Sequence, residues 1–182
     1  QIIEHQVAQL ARLVGQMHML LRVESMNDSS PTTPVALNKI LAKLEEDYES
    51  AISKKELTFE LVFEDTLPSI DVDPDLLLVA LQNVLENATS YTDTGSIKAH
   101  TAVCDNEVIL TIEDSGIGID AKDLPHIFER FYKVEANKRR DTVAAGLGLA
   151  ITRRIMELSG GRIEVESQLE HGTCFRLIWP VN

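Results

Sequence analysis

The sequence predicts an α/β fold: a two-layer sandwich in which helices cover one face of a mixed, largely antiparallel sheet, preceded by a coiled-coil-like helix. Three observations predict it. Helical and strand patterns alternate through residues 35–182. Two pairs of those strands are joined by short turns, as in hairpins, whose strands run antiparallel. Residues 1–26 instead carry a heptad repeat of apolar side chains.

The heptad segment predicts a helix that needs a partner. Its apolar side chains recur in alternating steps of four and three, which suits a coiled coil or a helical bundle. One helix cannot bury such a seam alone, so we expect a partner helix, most simply from a second chain. The alternative is that the helix packs on its own domain. The seam residues are Ile3, Val7, Leu10, Val14, Met17 and Leu21.

The remaining elements define one main domain. Residues 27–34 are polar and contain two prolines, so we expect a linker there and the domain over 35–182. Asp73 and Pro74 signal a helix start, because Asp caps a helix and Pro fits its first turn. The predicted helices cover 35–53, 74–91, 124–133 and 146–158, and the predicted strands cover 57–63, 97–103, 108–114, 162–167 and 173–180.

Composition and charge exclude several classes of protein. The chain has 182 residues, of which 44% are hydrophobic, and a net charge of -12. An acidic surface repels nucleic acid and anionic lipid, so we expect neither as a partner, and a phosphate ligand would need a local cradle and a cation. No apolar stretch approaches the roughly 20 residues of a membrane span. Cys104 and Cys174 lie in predicted strands, where we expect buried free thiols in a reducing compartment. The start at Gln1, already within a helical pattern, predicts a fragment of a longer protein.

A stripe of polar side chains follows the helix at 74–91. Asn83, Asn87 and Tyr91 are spaced four residues apart and therefore stack beside its apolar face. Asn is a poor helix former, so two in one stripe need a reason. Amide oxygens can ligate magnesium, and a tyrosine one turn later can cover a flat ring. From this helix alone, a pair of surface amides remains the alternative.

A second candidate lies where the strand at 108–114 ends. Asp114 has the parity of the strand's buried positions, so its carboxylate is expected to point inward, where it needs a hydrogen-bond donor. The exocyclic amine of a purine would serve. Gly116 and Gly118 follow, and glycines let the backbone turn sharply or approach a ligand. This Asp-x-Gly-x-Gly pattern is weak alone, because such turns are common.

A third candidate opens the helix at 146–158. Glycine at a helix start leaves backbone amides accessible, and these favour a polyphosphate. A basic stretch lies just upstream and also favours a phosphate. It has a net charge of +2, from four basic residues (Lys133, Lys138, Arg139 and Arg140) minus two acidic ones (Glu135 and Asp141). The alternative is that this stretch is only a solvated charged face.

Taken in order, these segments resemble the ATP-binding catalytic domain of sensor histidine kinases. That domain has the Bergerat-type fold, shared with type II topoisomerases, mismatch-repair ATPases and heat-shock chaperone ATPases. The resemblance runs from Pro34 to the C-terminus. Its motifs are Asn83-x-x-x-Asn87 with Tyr91 (asparagine box), Asp114-Ser115-Gly116-Ile117-Gly118 (first glycine box), Ile127 to Tyr132 (phenylalanine box), Gly146-Leu147-Gly148-Leu149 (second glycine box) and Gly172-Thr173-Cys174-Phe175 (last glycine box).

The resemblance implies a role for each matching residue. Asn87 would be the main magnesium ligand, assisted by Asn83, and Asp114 would accept a hydrogen bond from the adenine of ATP. Glu86 would assist the chemistry. The other implied ATP contacts are Tyr91, Gly116, Gly118 and Ile119 around the base, Arg130 and Lys133 from the nucleotide lid, Gly146, Leu147, Gly148 and Leu149 at the triphosphate, and Thr173 as support.

The implied activity is transfer of the γ-phosphoryl group of Mg-ATP to a histidine on a partner helix. Onward transfer to a response regulator aspartate would follow, in a homodimeric parent kinase. The parent's location would be cytoplasmic, with or without a membrane anchor, and this chain would make no direct membrane contact. Asn83 favours a kinase over a hydrolysing ATPase, whose members place a glutamate at this position, because an amide cannot act as a general base.

Three departures from the family pattern keep an alternative open, a degenerate nucleotide-binding scaffold or regulator. Ser90 stands where a basic residue is common, and Ala144 stands where a further glycine is usual. None of the five histidines has the family's phospho-acceptor sequence. The helix at 1–26 resembles the second helix of the dimerisation bundle, without the histidine-bearing first helix. We therefore expect no autophosphorylation by this chain alone.

Overall fold

A computed structural model of the chain describes residues 2–26, 31–134 and 145–181. Among the described residues, no helix is long and apolar enough to span a membrane. The elements are α1 (Ile2–Ser25), β1 (Thr33–Val35), α2 (Leu37–Lys54), β2 (Thr58–Val62), β3 (Ile70–Val72), α3 (Pro74–Tyr91), β4 (Ser96–Cys104), β5 (Glu107–Asp114), α4 (Gly148–Leu158), β6 (Arg162–Gln168) and β7 (Gly172–Pro180).

The predicted fold class is confirmed. Within the described ranges, β2, β4, β5, β7 and β6 form a five-stranded sheet in that order, in which β2 and β4 are parallel and the other neighbours are antiparallel. β1 and β3 pair separately. α2, α3 and α4 bury their apolar faces in a core with the sheet, whose fully buried side chains include Leu41, Leu81, Leu110, Ile112 and Trp179.

Local sequence explains how α3 begins and how β4 and β5 are joined. Asp73 Oδ1 accepts hydrogen bonds from the backbone amides of Asp75 and Leu76 at 2.9 and 3.2 Å, which caps α3 as predicted. Asp105 and Asn106 both have positive φ, as a two-residue hairpin turn requires. The register of that hairpin and its pairing with β7 place Asp114 at the end of the central strand, between Ile97 of β4 and Thr173 of β7.

Three expectations are wrong in detail. Residues 124–133 form only a short 3-10 turn, Leu124–His126, because Phe131 takes a positive φ of 63° that no helix allows. β1 begins at Thr33, inside the predicted linker, because it pairs with β3; residues 27–30 of that linker lie outside the described residues. Both cysteines are free, but Cys104 is exposed beside the hairpin turn and Cys174 is half-buried.

Helix α1 packs on the main domain, but not with its heptad seam. Leu20 and Val23 are buried in a cluster with residues of α3 and α4. The seam lies on another face: Val7, Leu10, Val14, Met17 and Leu21 are 44 to 63% exposed, and the side chain of Ile3 is outside the described part. The helix therefore both contacts its own domain and presents an unpartnered apolar stripe.

Candidate nucleotide-binding site

A cavity of about 390 Å³ lies between α3, the ends of β5 and β7, and the start of α4. Its volume falls in the range of small-molecule sites, roughly 300–1,000 Å³. The structure brings most of the predicted site residues together in its wall: Asn83, Glu86, Asn87, Tyr91, Asp114, Gly118, Ile119, Lys133, Gly146, Gly148, Leu149 and Thr173. Gly116, Arg130 and Leu147 lie outside this wall.

The amide stripe of α3 meets the start of α4. Asn83 Nδ2 donates to the carbonyl oxygen of Gly148 at 3.0 Å and to Thr152 Oγ1 at 3.3 Å. A carbonyl can only accept, so the contact fixes which amide atom is nitrogen and directs Oδ1 elsewhere. A Cβ at position 148 would come within 3.3 Å of Asn83 Oδ1. Glycine there keeps space open beside the amide oxygen.

The donor set fits a magnesium ion shared with phosphate oxygens. Asn83 and Asn87 both line the cavity and offer neutral amide oxygens. Among the described residues, no group of three or more His, Cys, Asp or Glu side chains is placed to hold a metal. An ion here would take amide oxygens from α3 and its remaining ligands from a phosphate compound and water, the pattern that Mg²⁺ favours in nucleotide sites.

Asp114 is a half-buried acid whose carboxylate is held by the backbone. Its Oδ1 accepts from the amide of Gly116 at 2.9 Å, and the backbone amide of Thr173 donates to the same side chain. Burial raises the pKa of Asp114 to about 6, although these two hydrogen bonds act to lower it. At neutral pH the group is therefore an ionised acceptor that faces the cavity, as an exocyclic amine requires.

In the first glycine segment, neighbouring atoms lie so close to Gly116 and Gly118 that no side chain fits. A Cβ at Gly116 would come within 2.4 Å of the carbonyl oxygen of Tyr91 and 2.8 Å of Asp114 Oδ1. Gly118 has a φ of +66°, and a Cβ there would meet the carbonyl oxygen of Gln168 at 2.0 Å. Both positions therefore require glycine, which explains the spacing of the sequence motif.

The second glycine segment turns the chain into α4. Gly146 has a φ of +71°, and its carbonyl oxygen accepts from the amide of Phe131 at 2.8 Å. Gly148 and Leu149 place the first turn of α4 in the cavity wall, where backbone amides at a helix start favour anions. The side chain of Leu147 instead is fully buried in the cluster with α1.

Hydrogen bonds of the Ser167 hydroxyl, which the sequence did not predict, hold two residues of the cavity wall, Ile119 and Thr173. Ser167 Oγ accepts from the backbone amide of Ile119 at 2.8 Å and lies 3.0 Å from Thr173 Oγ1. It also donates to the carbonyl oxygen of Gly172 at 2.8 Å. Ser167 pairs directly with Thr173 across β6 and β7, a register that only the pairing of the two strands reveals.

The lid residues are only partly described. Arg130 does not line the cavity; its guanidinium pairs with Glu24 of α1. Lys133 does line it, and Tyr132 donates its hydroxyl to Asp123 Oδ1 at 2.7 Å. The predicted basic stretch at Lys138, Arg139 and Arg140, its acidic neighbours Glu135 and Asp141, and the departure at Ala144 lie outside the described residues.

Two further contributions to the wall escaped the sequence interpretation. Lys55, at the end of α2, donates from Nζ to the carbonyl oxygens of Thr89 and Thr92 at 2.5 and 3.2 Å, which stabilises the end of α3. Arg12 and Gln16 enter from α1, which the sequence treats as a separate helix. No local motif marks any of these residues, because their role depends on how distant elements pack.

Comparisons with known proteins identify a family and relatives of this chain. The family described as histidine kinase-, DNA gyrase B-, and HSP90-like ATPase matches residues 72–182. The chain is 28% identical over 178 residues to the phosphate regulon sensor protein PhoR of Pseudomonas aeruginosa, covering 96% of this chain and 40% of that protein. It therefore spans well under half the length of that relative.

Solved structures share the fold. Full-length ShkA in complex with AMPPNP aligns with a TM-score of 0.82 and 26% identity, over 94% of this chain and 35% of that one. The histidine kinase ThkA in complex with the response regulator protein TrrA aligns with a TM-score of 0.75 and 24% identity, over 97% of this chain and 49% of that one. The family match over residues 72–182, more than half of the chain, establishes that the chain belongs to the histidine kinase-, DNA gyrase B- and HSP90-like ATPase family.

Proposed function

We propose that this chain is the catalytic part of a two-component sensor histidine kinase. It binds Mg-ATP in the cavity and transfers the γ-phosphoryl group to a histidine outside this chain, for onward transfer to a response regulator aspartate. One observation carries the proposal: a single cavity holds an ionised acceptor, Asp114, together with the amide stripe of α3 and the glycine start of α4.

Each wall of the cavity has a distinct task in this proposal. Asp114 accepts from the adenine amine, while Tyr91 and Ile119 contact the ring. The first turn of α4 holds phosphate oxygens through backbone amides, with Lys133 at the edge of the lid. Phosphoryl transfer depends mainly on positioning and charge stabilisation, so the chain needs no covalent nucleophile.

Asn87, with Asn83, would hold magnesium. When bound, the ion neutralises charge that builds up on the phosphates. The nitrogen of Asn83 is already committed to Gly148 and Thr152, so that side chain enters the site in one fixed orientation. Glu86 lies at the cavity wall directly before Asn87, and a role in assisting the transfer remains a prediction.

The cavity favours phosphoryl transfer over hydrolysis. The side chain at position 83 is an amide with no basic nitrogen or oxygen, so it cannot take a proton from water. Glu86, the carboxylate that lines the cavity beside Asn87, is paired with Arg12 in this structure.

The partners of the parent protein follow from the same proposal. The exposed apolar stripe of α1 supports a homodimeric parent, in which this stripe packs against a helix of the dimerisation bundle. That bundle would also carry the acceptor histidine. We propose a cytoplasmic location for this part of the protein, with no nucleic acid and no membrane as direct partner, in keeping with its net charge of -12.

Trans-phosphorylation tests the proposal. The chain is incubated with magnesium, ATP radiolabelled at the γ-phosphate and a separately supplied histidine-bearing helix pair from the full-length protein. We expect acid-labile label on the helix pair, and none when its histidine is replaced by glutamine. Nucleotide binding without transfer would favour the scaffold alternative, and steady hydrolysis without an acceptor would contradict the kinase assignment.

A further inference from the structure

Helix α1 supplies part of the cavity wall, although the family match begins only at residue 72. Arg12 and Gln16, one helical turn apart, line the same cavity as Asn87 and Asp114. The packing of the next turns of α1 fixes their position, because Leu20 and Val23 are buried in the cluster with α3 and α4. This part of α1 therefore reaches the cavity as a consequence of packing.

Arg12 is held in place by a weak contact. Its guanidinium pairs with the carboxylate of Glu86, and the two side chains are 43 and 40% exposed. An exposed ion pair of this kind contributes little to stability, because water solvates both charges. A stronger anion entering the cavity can therefore displace Glu86 as the partner of Arg12.

The distribution of basic side chains around the cavity favours Arg12 as a phosphate ligand. The basic side chains among its described lining residues are Arg12, Lys55 and Lys133. Lys55 is engaged with two carbonyl oxygens at the end of α3. A nucleoside triphosphate carries several negative charges, and guanidinium groups bind phosphate through two parallel hydrogen bonds.

Gln16 gives an independent indication that a ligand reaches this wall. Its Oε1 atom is buried without a hydrogen-bond partner among the described residues. A buried acceptor without a hydrogen bond destabilises the protein, so such atoms normally meet a donor in the functional state. Because Gln16 lines the cavity, a ligand or a water molecule bound there can supply that donor.

We propose that Arg12 is a phosphate-binding residue contributed by α1: when a nucleoside triphosphate binds, its guanidinium leaves Glu86 and contacts the terminal phosphate. This inference rests on the proposed function, since it assumes that the cavity takes ATP. It makes the docked helix α1 part of the binding site. It also gives the site a means to distinguish the triphosphate from the diphosphate and frees the carboxylate of Glu86 on binding.

Nucleotide affinities of matched arginine variants test the inference. Binding of AMPPNP and of ADP, each with magnesium, is measured by calorimetry for the wild-type chain, Arg12→Gln and Arg22→Gln. Arg22 is the control, because it is exposed on the same helix and does not line the cavity. We expect Arg12→Gln to weaken AMPPNP binding about tenfold or more, as loss of a charge-assisted hydrogen bond does, and ADP binding less than threefold. Arg22→Gln should change neither.

Two further results separate the possible failures. Arg12→Lys should keep part of the preference for the triphosphate, because an ammonium still acts as a point charge. Equal weakening of AMPPNP and ADP by Arg12→Gln would overturn the inference, since Arg12 would then act by holding α1 in place. A wild-type preference that survives Arg12→Gln would overturn it as well. A wild-type chain that binds neither nucleotide would overturn the proposed function, and this inference with it.

Discussion

Replacing Asp114 with asparagine is expected to stabilise the protein while it abolishes nucleotide binding. Burial raises the pKa of this carboxyl from its ordinary 3.8 to about 6, so folding disfavours the ionised form. A shift of about two pK units corresponds to about 3 kcal/mol in the free energy of unfolding. Asparagine carries no charge, so the substitution would recover this amount at most. For a chain of this size, that gain raises the melting temperature by roughly 6–12 °C.

The sign of the effect follows from the raised pKa. Burying the protonated carboxyl of Asp114 carries no cost of burying a charge. The contribution of this group to the free energy of unfolding is therefore largest at low pH and falls as the pH rises through about 6. The variant should therefore be more stable than wild type at pH 8 and nearly equal to it at pH 4. Urea unfolding at both pH values measures the difference. A variant less stable than wild type at pH 8 would refute the burial argument.

Binding should change in the opposite direction. The amide of Gly116 already takes an acceptor oxygen of Asp114, so an asparagine oriented to keep that bond would present its NH₂ group to the adenine amine, donor against donor. Wild-type affinity for adenine nucleotide should likewise fall as the pH drops through about 6. Undiminished nucleotide binding by Asp114→Asn would show that this carboxylate does not bind the adenine amine.

Three other substitutions test separate parts of the site. Asn87→Ala should remove the magnesium-dependent part of nucleotide affinity, measured by calorimetry with and without EDTA; unchanged dependence would refute its ligand role. Leu147→Ala should cost about 2–5 kcal/mol in urea unfolding, because the side chain is fully buried against α1; a cost under 1 kcal/mol would contradict that packing. Gly118→Ala should weaken nucleotide binding, because its φ is +66° and a Cβ would strike the carbonyl oxygen of Gln168; wild-type affinity in this variant would mean that the loop does not shape the site.

Local pattern predicted the parts of the site that depend on local geometry. The four-residue spacing of Asn83 and Asn87 fixes one face of a helix, and the alternation of a strand fixes the side of Asp114. Neither inference needs knowledge of distant elements. The same holds for the cap at Asp73, whose side-chain oxygen bonds to amides two and three residues ahead.

The features that the sequence did not reveal depend on tertiary packing. β1 and β3 are three residues each, too short for an alternating pattern, and they form only because they pair with each other. Residues 124–133 contain apolar side chains at helical spacing, but the turn at Phe131 redirects the chain so that its amide bonds to Gly146. Arg12 reached the site only because α1 packs there through a face outside its heptad seam.

The contacts of α1 also explain why Arg130 lies away from the cavity. Its guanidinium pairs with Glu24, about three turns along the same helix from Arg12. Both pairs join α1 to residues that the family resemblance assigns to the nucleotide or to the transfer step. In this arrangement, neither Glu86 nor Arg130 is available to ATP without a change of partner.

The most direct measurement of the central claim is a calorimetric titration of the chain with AMPPNP, with and without magnesium. The account predicts saturable binding at one site per chain, stronger with magnesium and lost in Asn87→Ala, whose side chain lines the cavity. Absence of binding at millimolar nucleotide, in a chain shown to be folded, would contradict the assignment of this cavity to Mg-ATP.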